Sequence, residues 1–296
     1  MLSKITAGAL RNRHLRRICP IMTLQNPSET APSTVPQPRR HAGMNWVGMR
    51  TLYLREVRRF WKVGAQTVAA PVVTTLLYML VFVVALQGAR PPLHGIPFAE
   101  FVAPGLIMMA ILQNAFANAS SSLIQAKIMG TATDFLTPPL SPLELTVGFS
   151  LGAATRGVVV GLVTALCVMP FTKLAISNVA LIVWFGLISS LLMGMMGVLA
   201  GLWSEKFDHL SAVQNFVVMP MTFLSGTFYL VENLPAPFDA ISRFNPFFYL
   251  IDGFRAGFVG QAESNLLVGI VMSGVLTVVL GVVCWLVFKS GWRLKS

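Results

Sequence analysis

Acidic side chains are the residues best suited to chemistry in this sequence, because carboxylates act as general acids and bases or couple ion binding to movement. None of them falls inside a long apolar run. This placement argues against a catalytic carboxylate pair and against a carrier driven by protons, although backbone carbonyls can also bind sodium. The eleven are Glu29, Glu56, Glu100, Asp134, Glu144, Glu205, Asp208, Glu232, Asp239, Asp252 and Glu263.

Other catalytic and nucleotide-binding patterns are missing. The four histidines share no metal-ligand spacing, and the three cysteines form no CxxC pair. Asp208 and His209 are adjacent, but neighbours on a helix point in different directions and no third group is evident. The sequence has no GxxxxGK[ST] motif and no Gly-Lys dipeptide. We therefore expect a non-enzymatic chain without catalytic residues, metal or bound cofactor, so any ATP would be hydrolysed elsewhere.

A few polar side chains do lie within the apolar runs. Arg156 is the one charge there, and it must face protein or water because a lone arginine in a membrane costs about 2.5–3.5 kcal/mol. Either it snorkels or bonds to a helix carbonyl, or it makes a polar contact that lines a pathway or a subunit interface. Asn114 and Asn118 share a helix face and either bond to a neighbouring helix or contact a substrate. Glycine pairs such as Gly157 with Gly161 permit close helix packing.

The composition requires a membrane to hold these side chains. The chain has 296 residues, of which 55% are hydrophobic and only 11% are charged, too few to coat a soluble globule. We predict an all-α integral membrane protein, since each run reaches about 30 Å as a helix. The six predicted spans are 66–86, 101–124, 146–169, 178–202, 210–230 and 264–288.

The segments outside the spans divide by charge. Residues 1–43 are basic and rich in proline, so we expect them to be disordered and dispensable, with Met44 as an alternative start to Met1. They hold seven of the 22 Lys and Arg, and the net charge of +11 therefore does not indicate nucleic-acid binding. Residues 44–65 predict an interfacial amphipathic helix whose apolar stripe begins at Trp46. The domain 66–290 and a tail, 291–296, follow.

Basic residues also predict the orientation in the membrane. Ten Lys and Arg flank the spans on the side of residues 44–65, and four lie on the other side. The positive-inside rule therefore places both termini in the cytoplasm.

Two connections between spans have a distinct character. In "TDFLTPPLSPLE", residues 133–144, Ser141 and Glu144 form a predicted capping box with Pro142 at the first helical position. This loop predicts a rigid cytoplasmic lever, with a tight turn as the alternative. The outer loop, about 231–263, is too apolar for a linker and too broken for a span. Asn245 before Pro246 predicts a helix start there, in short helices that dip into the outer leaflet.

These two stretches resemble a family. "GTATDFLTPPLSPLELTVG" and "PMTFLSGTFYLVENLPAPFDAISRFNPFFYLIDGFR" are similar to the membrane subunits of type 2 ATP-binding-cassette (ABC-2) transporters. The resemblance extends from about Tyr53 to the C-terminus and is closest to small permeases of the bacterial inner membrane. It implies a permease homodimer on two ATPase subunits that bind ATP-Mg, with the loop 130–140 as coupling helix.

The same resemblance implies roles for particular residues. Coupling to the ATPase would involve Asp134, Phe135, Leu136, Pro138, Pro139 and Glu144. An outer re-entrant region would include Gly226, Pro235, Asn245, Pro246, Asp252 and Arg255. The leading hypothesis is a permease that exports an amphipathic or hydrophobic cargo with energy from a partner ATPase. The alternatives are a stand-alone ion-coupled secondary transporter and, third, a membrane enzyme.

Overall fold

The computed structural model describes residues 43–86, 95–132, 134, 138–172, 174–235 and 237–292. Apart from Gly43, the expected disordered extension lies outside these residues. So do Phe135, Leu136 and most of the tail.

The regular structure of the described residues is helical, as the composition predicts. Two π-helical segments, Ala65–Ala69 and Gln214–Val218, lead into α2 and α7, and short 3-10 turns lie at Met169–Phe171 and Val231–Asn233. The α-helices are α1 (Trp46–Lys62), α2 (Ala70–Leu86), α3 (Phe98–Ile128), α4 (Pro142–Val168), α5 (Val179–Trp203), α6 (Phe207–Val213), α7 (Met219–Phe223), α8 (Phe238–Phe244), α9 (Pro246–Val259) and α10 (Leu266–Ser290).

Five helical runs in this part of the chain are long and apolar enough to cross a membrane. They match five of the six predicted spans, with ends that differ by a few residues. The five are Ala65–Phe82, Phe98–Ile128, Pro142–Phe171, Val179–Trp203 and Leu266–Ser290.

The sixth predicted span, 210–230, is a shorter and interrupted helix. Helix α6, a π-helical segment and α7 follow one another in pieces of 7, 5 and 5 residues and end at Phe223. At 1.5 Å per residue this run measures about 25 Å, less than the hydrocarbon core. Beyond it the chain turns through Gly226, whose φ of 68° suits glycine. This helical run therefore ends seven residues before the predicted boundary at 230, and the six-span layout is not confirmed.

Local signals predicted the helix starts correctly. The Glu144 backbone N–H donates to the Ser141 side chain, and the Ser141 backbone N–H donates to the Glu144 carboxylate, so the capping box before α4 is confirmed. Asn245 caps α9 by accepting from the Phe247 backbone N–H, with Pro246 at the first helical position.

Helix α3 forms the centre of the bundle and is buried along most of its length. Helices α4 and α5 pack against it and approach closely at glycines, as the sequence suggested. A Cβ on Gly161 of α4 would lie 2.3 Å from Ile111 Cγ1. A Cβ on Gly197 of α5 would lie 2.5 Å from the carbonyl oxygen of Phe116. These contacts fix the helices that surround the cavity described next.

Candidate functional site

A cavity of about 610 Å³ opens among α2, α3, α4 and the interrupted helix α6 to α7. Its lining residues on α3 extend from Leu106 to Ser121, about 22 Å along the helix axis. Both π-helical segments border it, through Gln66 and Gln214. Such segments are frequent at functional sites, and the volume lies in the ordinary range for small-molecule sites, about 300–1,000 Å³.

Arg156 lies on the wall of this cavity. Its Nη2 donates to Asn114 Oδ1 at 3.1 Å, and Asn114 Nδ2 donates to the carbonyl of Ala110 at 3.0 Å. The second bond turns the amide oxygen of Asn114 toward the guanidinium. Of the two roles that the sequence left open for Arg156, the structure therefore supports the polar contact beside a cavity rather than snorkelling.

Asn118 does not line the cavity with Asn114 but binds Arg59 of α1. The Arg59 Nη2 atom donates to the Asn118 backbone oxygen at 2.6 Å and to its Oδ1 at 3.0 Å. Arg59 Nη1 donates to Ser121 Oγ at 3.2 Å. Asn114 and Asn118 thus accept hydrogen bonds from two arginines of different helices, at neighbouring turns of α3.

Glu56 is the functional residue that sequence reasoning missed. It is 0% exposed, it accepts from Ser122 Oγ at 2.7 Å, and it forms an ion pair with Arg59 at 3.3 Å. Glu56 lies in α1, outside the candidate spans, but the expectation of an interfacial helix did not include a carboxylate buried against the neighbouring helices. A buried carboxylate requires such partners because its desolvation is costly.

Helix α1 brings these charges inward because it packs against glycines of α4. A Cβ on Gly148 would lie 2.7 Å from Leu52 Cδ2, and one on Gly152 would lie 2.6 Å from Glu56 Cβ. The buried face of α1 is Leu52, Glu56 and Phe60, whereas Trp46, where the predicted stripe begins, is 64% exposed. In the sequence, Leu52, Glu56 and Phe60 follow one another at intervals of four residues. This spacing was the available signal that the three side chains share one face of α1.

Several N–H donors at this end of the cavity have no acceptor among the described residues. They are Arg59 Nε, Arg156 Nε and Gln113 Nε2. An unpaired buried donor costs about 1–3 kcal/mol, so each of these nitrogens would be stabilised by an acceptor that reached it. Within the described ranges, neither recorded ion pair involves Arg156.

The proline-rich loop is joined to α1 through Glu144. One carboxylate oxygen closes the capping box, and the other accepts from the Asn45 backbone N–H that precedes α1. Glu144 is 2% exposed, and the Asn45 side chain also reaches the Pro139 carbonyl at 3.4 Å. Asp134 is exposed and Pro138 is half-buried. Phe135 and Leu136 fall outside the described residues.

The region between α7 and α9, which the sequence predicts to lie outside, is held by the side chain of Asn245. Its Nδ2 donates to the Met221 carbonyl at 2.6 Å and to Ser225 Oγ at 2.9 Å, which ties α9 to the end of α7. Arg255 is buried, stacks 3.8 Å from the Phe101 ring centroid and donates to the carbonyl of Gly226. The structure thus brings Gly226, Asn245 and Arg255 together at the end of α7.

Asp252 organises the chain between α9 and α10. Its carboxylate accepts from the Glu263 backbone N–H at 3.1 Å and from the Ser264 backbone N–H at 2.7 Å. The Glu263 carboxylate accepts from the Glu232 backbone N–H at 2.8 Å. Burial raises the pKa of Glu263 above its usual range, and the hydrogen bond from Glu232 offsets part of that rise. Pro235 is exposed and lies apart from this cluster.

Metal-binding groups do not gather anywhere in the described part of the chain, where no three His, Cys, Asp or Glu side chains are close enough to hold an ion. The candidate site is a cavity lined by arginine, amide and hydroxyl groups together with apolar side chains.

The sequence is similar to those of known membrane transport proteins. The sequence matches the ABC-2 type transporter family over residues 48–259. The inner membrane transport permease YadH of Escherichia coli strain K12 is 30% identical over 251 residues, which cover 85% of this chain and 98% of that protein. Nodulation protein J of Rhizobium leguminosarum bv. viciae is 27% identical over 230 residues, 75% of this chain and 85% of its own length.

Proposed function

The chain belongs to the ABC-2 type transporter family, and from this premise we propose that it is the permease subunit of an ATP-driven exporter. In this proposal ATP-Mg is bound and hydrolysed by a separate ATPase subunit, and the permease forms the translocation path. The permease lies in the bacterial inner membrane with both termini in the cytoplasm. The relative's printed name, an inner membrane transport permease, supports this location.

The cavity is the observation that carries the proposal. A protein that only anchors a partner has no need of an open, partly polar space about 22 Å long beside spanning helices. Gln66, Thr74 and Gln214 continue the polar lining away from Arg156. A path for cargo needs such a lining, because polar groups must be met by protein or water at membrane depth.

A second copy of the permease would complete this path. The cavity is open on one side, and next to it Phe216 is 81% exposed on the π-helical segment that carries Gln214. Val73 and Leu77 of α2 are 53% and 54% exposed. Closing these faces against an identical chain would bury apolar surface and enclose the cavity. A single cysteine at Phe216 should then cross-link to its copy, and a strictly monomeric product would contradict this arrangement.

The loop before α4 is suited to transmit movement of the ATPase. Because Glu144 bonds to the starts of both α1 and α4, a push on this loop reaches two helices that line the cavity or carry its arginines. A flexible linker would absorb the same push. Asp134, Phe135, Leu136, Pro138 and Pro139 are the proposed contact residues on the ATPase side.

The buried Glu56 favours one alternative function. A carboxylate inside the helix bundle is what a stand-alone ion-coupled carrier uses, and Glu56 is in that position. Its ion pair with Arg59 and its hydrogen bond from Ser122 instead suit a structural side chain with fixed partners. Transport that persists in membranes depleted of ATP but holding a proton gradient would favour the carrier.

The proposed coupling is tested with Phe135→Ala combined with Leu136→Ala. If these side chains anchor the ATPase, their truncation should cost about 1–3 kcal/mol of contact and leave a normally inserted permease. The measurements are ATPase recovery on affinity purification of the permease, and ATP hydrolysis by the complex. The control is Phe244→Ala, which removes an aromatic side chain that is 89% exposed on α8. Undiminished recovery and transport in the double variant would contradict the coupling role.

A further inference from the structure

We propose that the cavity binds an anionic amphiphile, with the charged head at Arg59 and Arg156 and the apolar tail toward Leu106 and Met109. This inference rests on the proposed function, because it names the class of molecule that the permease binds. The shared chemistry of the head is a phosphate, sulfate or carboxylate group.

The charge of the cavity wall is the first argument. Arg59 and Arg156 are the charged side chains among the described residues that line it, and no acidic side chain does so. Glu56 neutralises only one guanidinium, through its ion pair with Arg59. The remaining positive charge lies in a partly enclosed space, where electrostatic attraction is stronger than in open water.

The unpaired donors are the second argument. Arg156 uses Nη2 on Asn114, while its Nε has no acceptor among the described residues, and the same is true of Arg59 Nε and Gln113 Nε2. An oxyanion accepts several N–H bonds at once, and charge-assisted bonds from arginine are about twice as strong as neutral ones. The two guanidinium groups that line the cavity therefore favour an anionic oxygen group over a neutral hydroxyl group.

The length and gradient of the cavity are the third argument. Arg59 and Ser121 line one end, and about 22 Å away along α3 the lining is Leu106 with Tyr78. Met109, Pro71 and Met219 supply apolar surface in the same lining, beside the hydroxyl groups of Thr74 and Thr75. A small free anion would leave this apolar part in contact with water, whereas a tail would remove that surface from water.

The test is equilibrium binding of radiolabelled dodecyl phosphate to the purified permease in phosphatidylcholine nanodiscs, corrected for empty nanodiscs. Competition uses unlabelled dodecyl phosphate, dodecanol with the same tail, and inorganic phosphate with the same head. We expect dodecanol and inorganic phosphate to compete at least about tenfold more weakly than dodecyl phosphate. Equal competition by dodecanol would show that the charge is not recognised, and equal competition by inorganic phosphate would rule out the amphiphile.

Variants assign the site to its residues. Arg156→Gln should weaken binding by about ten- to hundredfold, the loss expected for a charge-assisted bond, and Arg156→Lys should retain most of it. Gln113→Met replaces an amide that lines the cavity with an apolar side chain of similar length, so it should weaken binding of the charged head, even if Arg156→Gln fails to fold. The control, Arg243→Gln, alters an exposed arginine paired with Asp239 and should bind like the parent. Parental affinity in both Arg156→Gln and Gln113→Met would overturn the proposal.

The outcome is separable from that of the proposed function, because this assay contains no ATPase. A permease that binds dodecyl phosphate through Arg156 but recovers no ATPase would retain the site and contradict the ATP-driven exporter. A permease that recovers its ATPase and transports, yet shows no preference for the anionic head, would contradict only the site.

Discussion

At the scale of single residues, Glu144 accepts hydrogen bonds at the starts of two helices. Its carboxylate accepts from the backbone N–H groups of Ser141 and Asn45, residues that lie almost a hundred positions apart. Helix starts leave several N–H groups without partners, and here one buried side chain provides an acceptor at two of them. The loop before α4 and the start of α1 consequently share one anchor.

We predict that Glu144→Ala lowers the stability of the permease by about 1–3 kcal/mol, because buried backbone donors at both helix starts lose their acceptor. Glu144→Gln keeps one acceptor oxygen and should lose less. Thermal unfolding of the purified protein measures both effects. The control is Glu232→Ala, which changes an exposed glutamate and should unfold like the parent. Equal unfolding temperatures for parent and Glu144→Ala would contradict the shared cap.

At the scale of helices, close contacts at glycines set the positions of α3, α4 and α5. Gly197 of α5 lies against the Phe116 backbone, and Gly201 lies against the Ser120 carbonyl, 2.9 Å from the place of a Cβ. A flexible side chain could move aside, but a helix backbone cannot. In a membrane such close packing supplies much of the association between helices, because lipid offers no hydrophobic drive.

Gly197→Ala should therefore separate α5 from α3 and destabilise the protein by about 1–3 kcal/mol, the usual cost of overpacking. The matched control is Gly281→Ala on α10, where the nearest atom to a new Cβ is the flexible Met195 Cε at 3.6 Å. That variant should be neutral or slightly more stable, since alanine favours the helix. Thermal unfolding compares them, and a neutral Gly197→Ala would disprove the close contact.

The outer helices depend on a carboxylate that is costly to ionise. Burial raises the folded-state pKa of Glu263 above its ordinary value, and its Oε2 has no hydrogen-bond partner among the described residues. A carboxyl group whose pKa is raised in the folded state makes the folded protein less stable as the pH rises from the unfolded-state pKa to the folded-state pKa. Above that interval the loss is constant.

Glu263→Gln removes the charge and keeps an oxygen that accepts from the Glu232 N–H, so it should be more stable than the parent at neutral pH. The advantage should shrink as the pH falls through the folded pKa toward 4.5. Unfolding temperatures of both proteins between neutral and mildly acidic pH give the difference directly. An advantage that grows on acidification would have the wrong sign.

At the scale of the whole molecule, the proposed orientation puts the region from Val231 to Gly260 outside the cell. Asn233 is exposed, whereas Phe254 is 3% exposed in the core of α9. In this orientation the region from Val231 to Gly260 faces the outside, and the proline-rich loop before α4 faces the cytoplasm.

Single cysteines at Asn233 and Asp239, in a background without Cys19, Cys167 and Cys284, should react with an impermeant thiol reagent added to intact cells. A cysteine at Phe254 should be protected by burial. The measurement is labelling before and after the membrane is opened. Reaction of the Asn233 cysteine only after opening would reverse the topology.

The sequence by itself determined the helical class, five of the spanning runs and the starts of α4 and α9. These features depend on composition and on residues within one turn of each other, as in Ser141 with Glu144. Tertiary structure alone decided that α1 turns Glu56 inward, because Gly148 and Gly152 lie almost a hundred residues further along the chain. It also decided that Arg59 hydrogen-bonds to Asn118 whereas Arg156 hydrogen-bonds to Asn114. Hydropathy cannot separate these outcomes, since a glutamate on an amphipathic helix has the same composition whether it faces water or a partner helix.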